Sequence, residues 1–286
     1  MLLAEVDGAQ IAYEQAGAGP AIVFSHAGIA DRRMWDHQFF ALAQSHLVVR
    51  YDWRGYGDSS AAVGTFSHHL DLLGLMDALD IPNAVLVGCS MGGAYAVDAA
   101  LTAPERVAGL VLIGTGLSGH DWPESMLEQV RDQVHSAVPS ERLAAYRSGT
   151  ADEVRQDDVE AMAEAQARFM VAGPDRNPSH VEPAVWQQSM AMLRRVFRRM
   201  WSEQPAPGLP PQPPAKERLG ELDVPVLVVN GLDDVAGIQQ VADILTDGIP
   251  GARRLDLPDT GHLAPLERPE QVTTALQDFC RNLHRC

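Results

Sequence analysis

Residues 84–95 read Ala84-Val85-Leu86-Val87-Gly88-Cys89-Ser90-Met91-Gly92-Gly93-Ala94-Tyr95. An apolar, β-branched run at 85–87 stops at Gly88, and a helix-compatible segment, 93–101, follows at once. Strand, sharp turn and helix in direct succession give the G-x-S-x-G pattern its meaning. The serine is forced onto a tight turn with its hydroxyl pushed out of the sheet. Backbone passes close to backbone on both sides of it, so Gly88 and Gly92 have to be small.

Working outward, 21–25 is a compact apolar strand ending at His26-Ala27-Gly28, and 47–52 is another, running into Trp53-Arg54-Gly55-Tyr56-Gly57. Residues 33–43 and 65–79 read as helices, the second followed by Pro82. A hairpin around Asp7-Gly8 joins 2–6 to 10–15. After the serine helix, 107–113 is a further strand. Apolar strands alternating with helices predict an α/β fold, a mostly parallel central sheet with helices on both faces.

That rhythm stops at Gly114 and resumes at 224–229. The segment between has few strand signals and three helix-like stretches, at about 123–135, 152–172 and 183–203. In the last of these Trp186, Met190, Leu193, Phe197 and Met200 share one face. A proline-rich passage, 205–214, returns the chain to the sheet as a stiff connector. The expected organisation is a core of 1–115 and 216–286, carrying a helical lid inserted at 116–215. Beyond it, 236–247 and 266–283 are predicted helices and 252–257 a strand.

Composition narrows the partners. The 286 residues carry 38 acidic and 22 basic side chains, a net charge of −16, which argues against nucleic acid or an anionic membrane as the main partner. Arg194-Arg195 with Arg198-Arg199 is the one obvious basic patch. An apolar share of 46% suits a globular chain with a sizeable core. Cys89, Cys280 and Cys286 are too few and too scattered for a disulfide framework or a metal site. No basic-then-apolar leader and no membrane-length apolar stretch is present, so a cytoplasmic protein is expected, as a monomer or a homodimer. His68-His69 is expected on a solvated surface, the two rings pointing apart.

In a parallel α/β sheet the loops at the carboxyl ends of the strands converge on one crevice. Those ends here carry His26, Asp52, Ser90, the run Asn230-Gly231-Leu232-Asp233-Asp234, and Asp259-Thr260-Gly261-His262. A serine, a carboxylate and a histidine thus arrive at one edge, in the order Ser, Asp, His. A hydroxyl is a poor nucleophile at neutral pH and needs a neighbouring base, and the base needs a group to orient it.

On these stretches the chain resembles the α/β-hydrolase superfamily over nearly its full length. The matching residues are Ser25-His26-Ala27-Gly28 with Trp35 nine residues after the histidine, Asp52 to Ser59, Gly88 to Gly93, Gly231-Leu232-Asp233-Asp234, and Gly261-His262 followed by Pro269-Glu270. The resemblance implies a cofactor-free serine hydrolase that cleaves a small carboxylic ester or lactone through an acyl-enzyme. It implies Ser90 as nucleophile and His262 as base, and the glycine-plus-three spacing favours Asp234 over Asp233 as the orienting acid. Asp234 also suits the N-cap of the following helix. The oxyanion donors implied are the amides of Met91 and Gly28, with Ala27 as second choice. His26 is expected to anchor that loop, and Asp52 and Arg54 to tie loops together. Trp122, Trp186, Met190, Phe197 and Leu263 are the expected pocket residues, and no metal is expected. Rival readings are a carbon–carbon bond hydrolase of ring-cleavage products or a thioesterase with the same triad, and a non-catalytic ligand-binding protein on the same fold.

Overall fold

A computed structural model of the chain, describing residues 1–203, 206 and 208–283, is built on one eight-stranded sheet. The chain opens with an antiparallel pair, β1 (Leu2–Val6) and β2 (Ala9–Ala16), joined at Asp7 and Gly8. Both of these have positive φ, as a two-residue hairpin turn requires. There follow β3 (Ala21–Ser25), α1 (Asp36–Leu42), β4 (Leu47–Tyr51), α2 (His68–Ala78), β5 (Ala84–Cys89), α3 (Met91–Thr102) and β6 (Val107–Ile113).

The next strand is β7 (Val226–Gly231), and the segment before it is helical. It holds α4 (Glu124–Gln129), α5 (Ser140–Ser148), α6 (Gln156–Gln166) and the long α7 (Pro183–Glu203). α4 and α6 each run on into a wider π-helical turn, Val130–Val134 and Ala167–Ala172. The chain closes with α8 (Ala236–Gly248), β8 (Arg253–Leu257), α9 (Ala264–Glu267) and α10 (Pro269–Leu283).

Strand order is β1-β2-β4-β3-β5-β6-β7-β8, with β3 to β8 parallel. The register pairs Ser25 with Gly88, Cys89 with Ile113 and Gly231 with Leu257. The carboxyl ends of β3, β5, β6, β7 and β8 are therefore level. α2, α3 and α8 cover one face, burying Leu72, Leu75, Ala96, Ala99, Val241 and Leu245. α1 and α10 cover the other through Phe39, Leu42, Leu276 and Phe279. Small residues on α3 (Ala94, Ala96, Ala99, Ala100) let that helix lie close to the sheet. A third apolar cluster lies mostly inside the inserted helices, where Tyr146 stacks on Trp201 at 4.5 Å over Met162 and Phe169.

Several expectations shift. The helix anticipated at 266–283 is two, because Pro269 lacks an N–H and Arg268 before it leaves helical geometry. α5 had no clear sequence signal, since only Leu143 and Tyr146 of its nine residues are buried. The arginines of α7 are not a free basic patch. Arg194 pairs with Glu160 at 2.6 Å, Arg198 donates to Gln156, and Arg195 and Arg199 reach the 56–59 loop. Of the proline-rich passage, residues 204, 205 and 207 lie outside the described residues. What is described is not a free spacer, because Ala206 and Leu209 donate to the carbonyls of Ala62 and Phe66. Cys89 and Cys280 are buried thiols, and Cys286 lies outside the described residues.

Candidate active site

Ser90 joins β5 to α3 at φ 56° and ψ −125°, a conformation that non-glycine residues rarely adopt. Its amide donates to Ile113 O at 3.0 Å, and its carbonyl accepts from Gly93 and Gly116. Such strain persists where the surroundings over-determine it. The glycines explain how. A Cβ on Gly88 would lie 2.3 Å from Gly92 O, and one on Gly92 would lie 2.3 Å from His26 O.

His262, after β8, and Asp234, after β7, meet side chain to side chain. His262 Nδ1 lies 2.7 Å from Asp234 Oδ2, and the two residues are 1% and 3% exposed. A carboxylate only accepts, so Nδ1 carries the proton and Nε2 presents its lone pair. Nε2 is buried and has no hydrogen-bond partner among the described residues, Ser90 included. Nucleophile–base hydrogen bonds are often long in unliganded sites and tighten around substrate. Asp234 Oδ1 accepts from Val235 N–H at 2.7 Å, so the residue orients the histidine and also steadies the entry to α8. Asp233 is more exposed and turns to Arg176 at 3.5 Å.

The loop after β3 is held by His26, which is fully buried. Its Nδ1 donates to Ala27 O at 2.8 Å, its Nε2 accepts from Trp53 N–H at 3.1 Å, and its ring stacks on Trp53. Burial pushes its pKa down, in keeping with a neutral ring serving one donor and one acceptor role. The Ala27 amide is engaged with Met34 Sδ at 3.2 Å. Those of Gly28 and Met91 have no partner among the described residues, and Met91 N–H is a free first-turn donor of α3. The two residues are neighbours, since a Cβ on Gly28 would lie 2.9 Å from Met91 Sδ.

Supporting contacts pin the loops. Arg32 grips Asp52, whose carboxylate also accepts from Asp58 N–H, and Arg54 forms a two-pronged pair with Asp71 at 2.7 and 3.0 Å. Arg176, which lies between α6 and α7, was not singled out from the sequence. It donates to the carbonyls of Ala172 and Asp259 and pairs with Glu267, whose other oxygen takes the Gly261 amide at 2.9 Å. Its sequence neighbours Gly173-Pro174-Asp175 advertise only a break, so no local signal could have revealed it.

A cavity of about 470 Å³ opens beside Met91, between the core loops and the inserted helices. Met91, Phe66, Leu143, Met162, Phe197 and Trp201 supply apolar wall. Ser90 and His262 are not part of its lining. Of the pocket residues expected from sequence, Phe197 lines it. Met190 and Leu263 are packed into the core against the sheet, with Trp186 against their cluster. Trp122 packs against His120 and Gly237. His68 and His69 are not on a solvated surface as expected: the His68 ring lines the cavity and stacks on Tyr95 at 4.5 Å, and His69 is buried. No described helix is long and apolar enough to cross a membrane.

Residues 20–269 match the family model described as alpha/beta hydrolase fold. Over 279 residues the chain is 31% identical to a putative non-heme bromoperoxidase of Mycobacterium tuberculosis, covering 94% of this chain and 97% of that one. It is similar in structure to the enol-lactonase from Burkholderia xenovorans, with a TM-score of 0.74, 26% identity, and 98% and 99% of the two chains covered. A thermophilic esterase from Thermogutta terrifontis gives a TM-score of 0.74 at 25% identity, covering 99% and 98%.

Proposed function

The chain belongs to the α/β-hydrolase fold family and is an enzyme of that family; from that premise we propose that it is a serine hydrolase acting on a small, largely apolar carboxylic ester or lactone. Ser90 Oγ attacks the acyl carbon while His262 Nε2 takes its proton. The carbonyl electron pair moves onto oxygen, and the amides of Met91 and Gly28 hold that oxyanion. Collapse expels the alcohol oxygen, which takes the proton from Nε2–H and leaves an acyl-enzyme on Ser90. Water then attacks the acyl carbon, giving its proton to Nε2. The serine leaves, recovers that proton, and the carboxylic acid is released.

The observation that carries this reading is the buried Asp234–His262 pair, with an Nε2 that has no hydrogen-bond partner among the described residues. A purely structural histidine would have both nitrogens spent, as His26 does. Enol-lactonase and esterase relatives among solved structures favour an ester or lactone over other acyl compounds. In this reading 116–215 is a lid over the site in a cytoplasmic enzyme, and its apolar wall selects the substrate.

The test is labelling by a fluorophosphonate probe. Wild type is expected to label and Ser90→Ala is not. Folded wild type that stays unlabelled would remove the serine-hydrolase reading.

A further inference from the structure

The cavity beside Met91 has an uneven wall. Most of it is apolar, yet four polar side chains that line it make no hydrogen bond within the described residues. These are the Tyr56 hydroxyl, the Tyr95 hydroxyl, the His68 ring and the Gln166 amide. His68 Nδ1 is buried outright without a partner. Three of the four come from the core side and Gln166 faces them from α6. The Tyr56, Tyr95 and Gln166 groups are open to the cavity, so a polar ligand group can take up hydrogen-bonding capacity that the described residues leave unused there.

The wall around His68 and Tyr95 is also electrically quiet. Burial, with the Arg54 guanidinium behind it, pushes the His68 pKa down to about 3, so the ring is neutral at ordinary pH. Burial raises Tyr56 to about 12 and Tyr95 above its usual value, so both hydroxyls keep their protons. The Arg54 guanidinium is spent on Asp71 and on the carbonyls of Val6 and Asp7. Arg147, exposed and bonded to His135, also lines the cavity.

We infer that this cavity is the specificity site for one arm of the substrate, and that it takes an aromatic or alicyclic body bearing a neutral hydroxyl or carbonyl, which His68 and Tyr95 bind. This rests on the ester-hydrolase reading, and it names the substrate class that reading leaves open. The apolar body packs on Phe197, Met162 and Trp201, while the polar group completes the hydrogen bonds left open across the wall. A plain fatty acyl chain would fill the volume and leave those groups unpaired. A carboxylate placed against His68 and Tyr95 would be desolvated beside two neutral groups, with Arg54 already spent on Asp71.

The test separates the two claims by measuring binding and turnover independently. Ser90→Ala protein is titrated calorimetrically with methyl 3-arylpropanoates and 3-arylpropyl acetates whose ring carries a 4-hydroxyl, 4-methyl or 4-carboxylate group. The hydroxyl member of one series is expected to bind on the order of 10-fold more tightly than the methyl member, the scale of one or two net hydrogen bonds. Adding His68→Phe, which keeps the ring stack, should collapse that ratio to near one. His68→Gln should restore part of it, and Tyr95→Phe should lower it should the histidine variant not fold. Equal binding of hydroxyl and methyl members, a preference that survives His68→Phe, or preference for the carboxylate would each overturn the inference. Turnover by wild type reports on the hydrolase reading alone. Esters cleaved without a polar preference sink the site and spare the reading, and polar binding without cleavage does the reverse.

Discussion

Asp234 Oδ2 accepts from His262 Nδ1 at 2.7 Å with both side chains closed to solvent, while Asp233, one residue away, faces Arg176 on the surface side. Adjacent carboxylates have thus been given different work. Asp234→Asn is expected to lower ester turnover about 10³–10⁴-fold, because the amide favours the wrong imidazole tautomer. Asp233→Asn should cost about fivefold or less, the scale of a partly exposed ion pair. Steady-state kinetics on one ester decides it, and the reverse ranking would reassign the acid.

Gly114, at φ +48°, touches the same pair. A Cβ there would lie 3.1 Å from Asp234 Oδ2 and 3.3 Å from His262 Nδ1. Gly114→Ala should lose about 1–2 kcal/mol of stability for its left-handed backbone. Turnover should fall about 10–100-fold more through displacement of the pair. Thermal unfolding and kinetics on the same preparation separate the effects, and unchanged activity per folded molecule would deny the contact.

Asp98 on α3 is buried and accepts from Ser118 Oγ at 2.6 Å. Burial raises its pKa to about 6, against the lowering pull of Ser118 and Arg218. The folded form therefore holds a proton that the unfolded chain releases near pH 3.9. Its stabilising contribution is present at low pH and is lost as pH rises through 6. Asp98→Asn keeps an acceptor for Ser118 without the charge. It should stabilise the protein by about 1–3 kcal/mol at pH 8 and by about half as much at pH 5. An equal gain at both values, measured by chemical denaturation, would rule out this account.

Arg176 and Glu267 form a buried ion pair that ties the inserted segment to the histidine loop. Arg176→Ala leaves Glu267 without its partner and should destabilise by about 3–5 kcal/mol. In a Glu267→Gln background, where Oε1 can still accept from Gly261, the same change should cost much less. A double-mutant cycle showing additivity would mean the two side chains are not coupled.

Much of the core was legible from sequence because its signals are local. β3 and β6 match the expected 21–25 and 107–113, and the register that levels their ends brings Ser90, Asp234 and His262 to one edge. The walls of the cavity were less legible. Helical periodicity gave α7 an apolar face but not what covers it, so Met190 was expected in a pocket and lies in the core, while Phe197 seven residues on lines the cavity. His68 looked like surface because nothing in its own helix says that Tyr95 stacks on it. Arg176 reaches Asp233, Asp259 and Glu267, 57 to 91 positions away and beyond the reach of any local pattern.

Arg199 donates to the carbonyls of Tyr56, Gly57 and Ser59, and Arg195 adds a second bond to Gly57 O. The long helix is thereby seated largely on main-chain atoms of the loop beneath it. A joint made to carbonyls is blind to side-chain identity. Residues on the cavity side of the helix can therefore be exchanged during divergence without unseating it, and substrate preference can drift while the frame around the serine stays fixed.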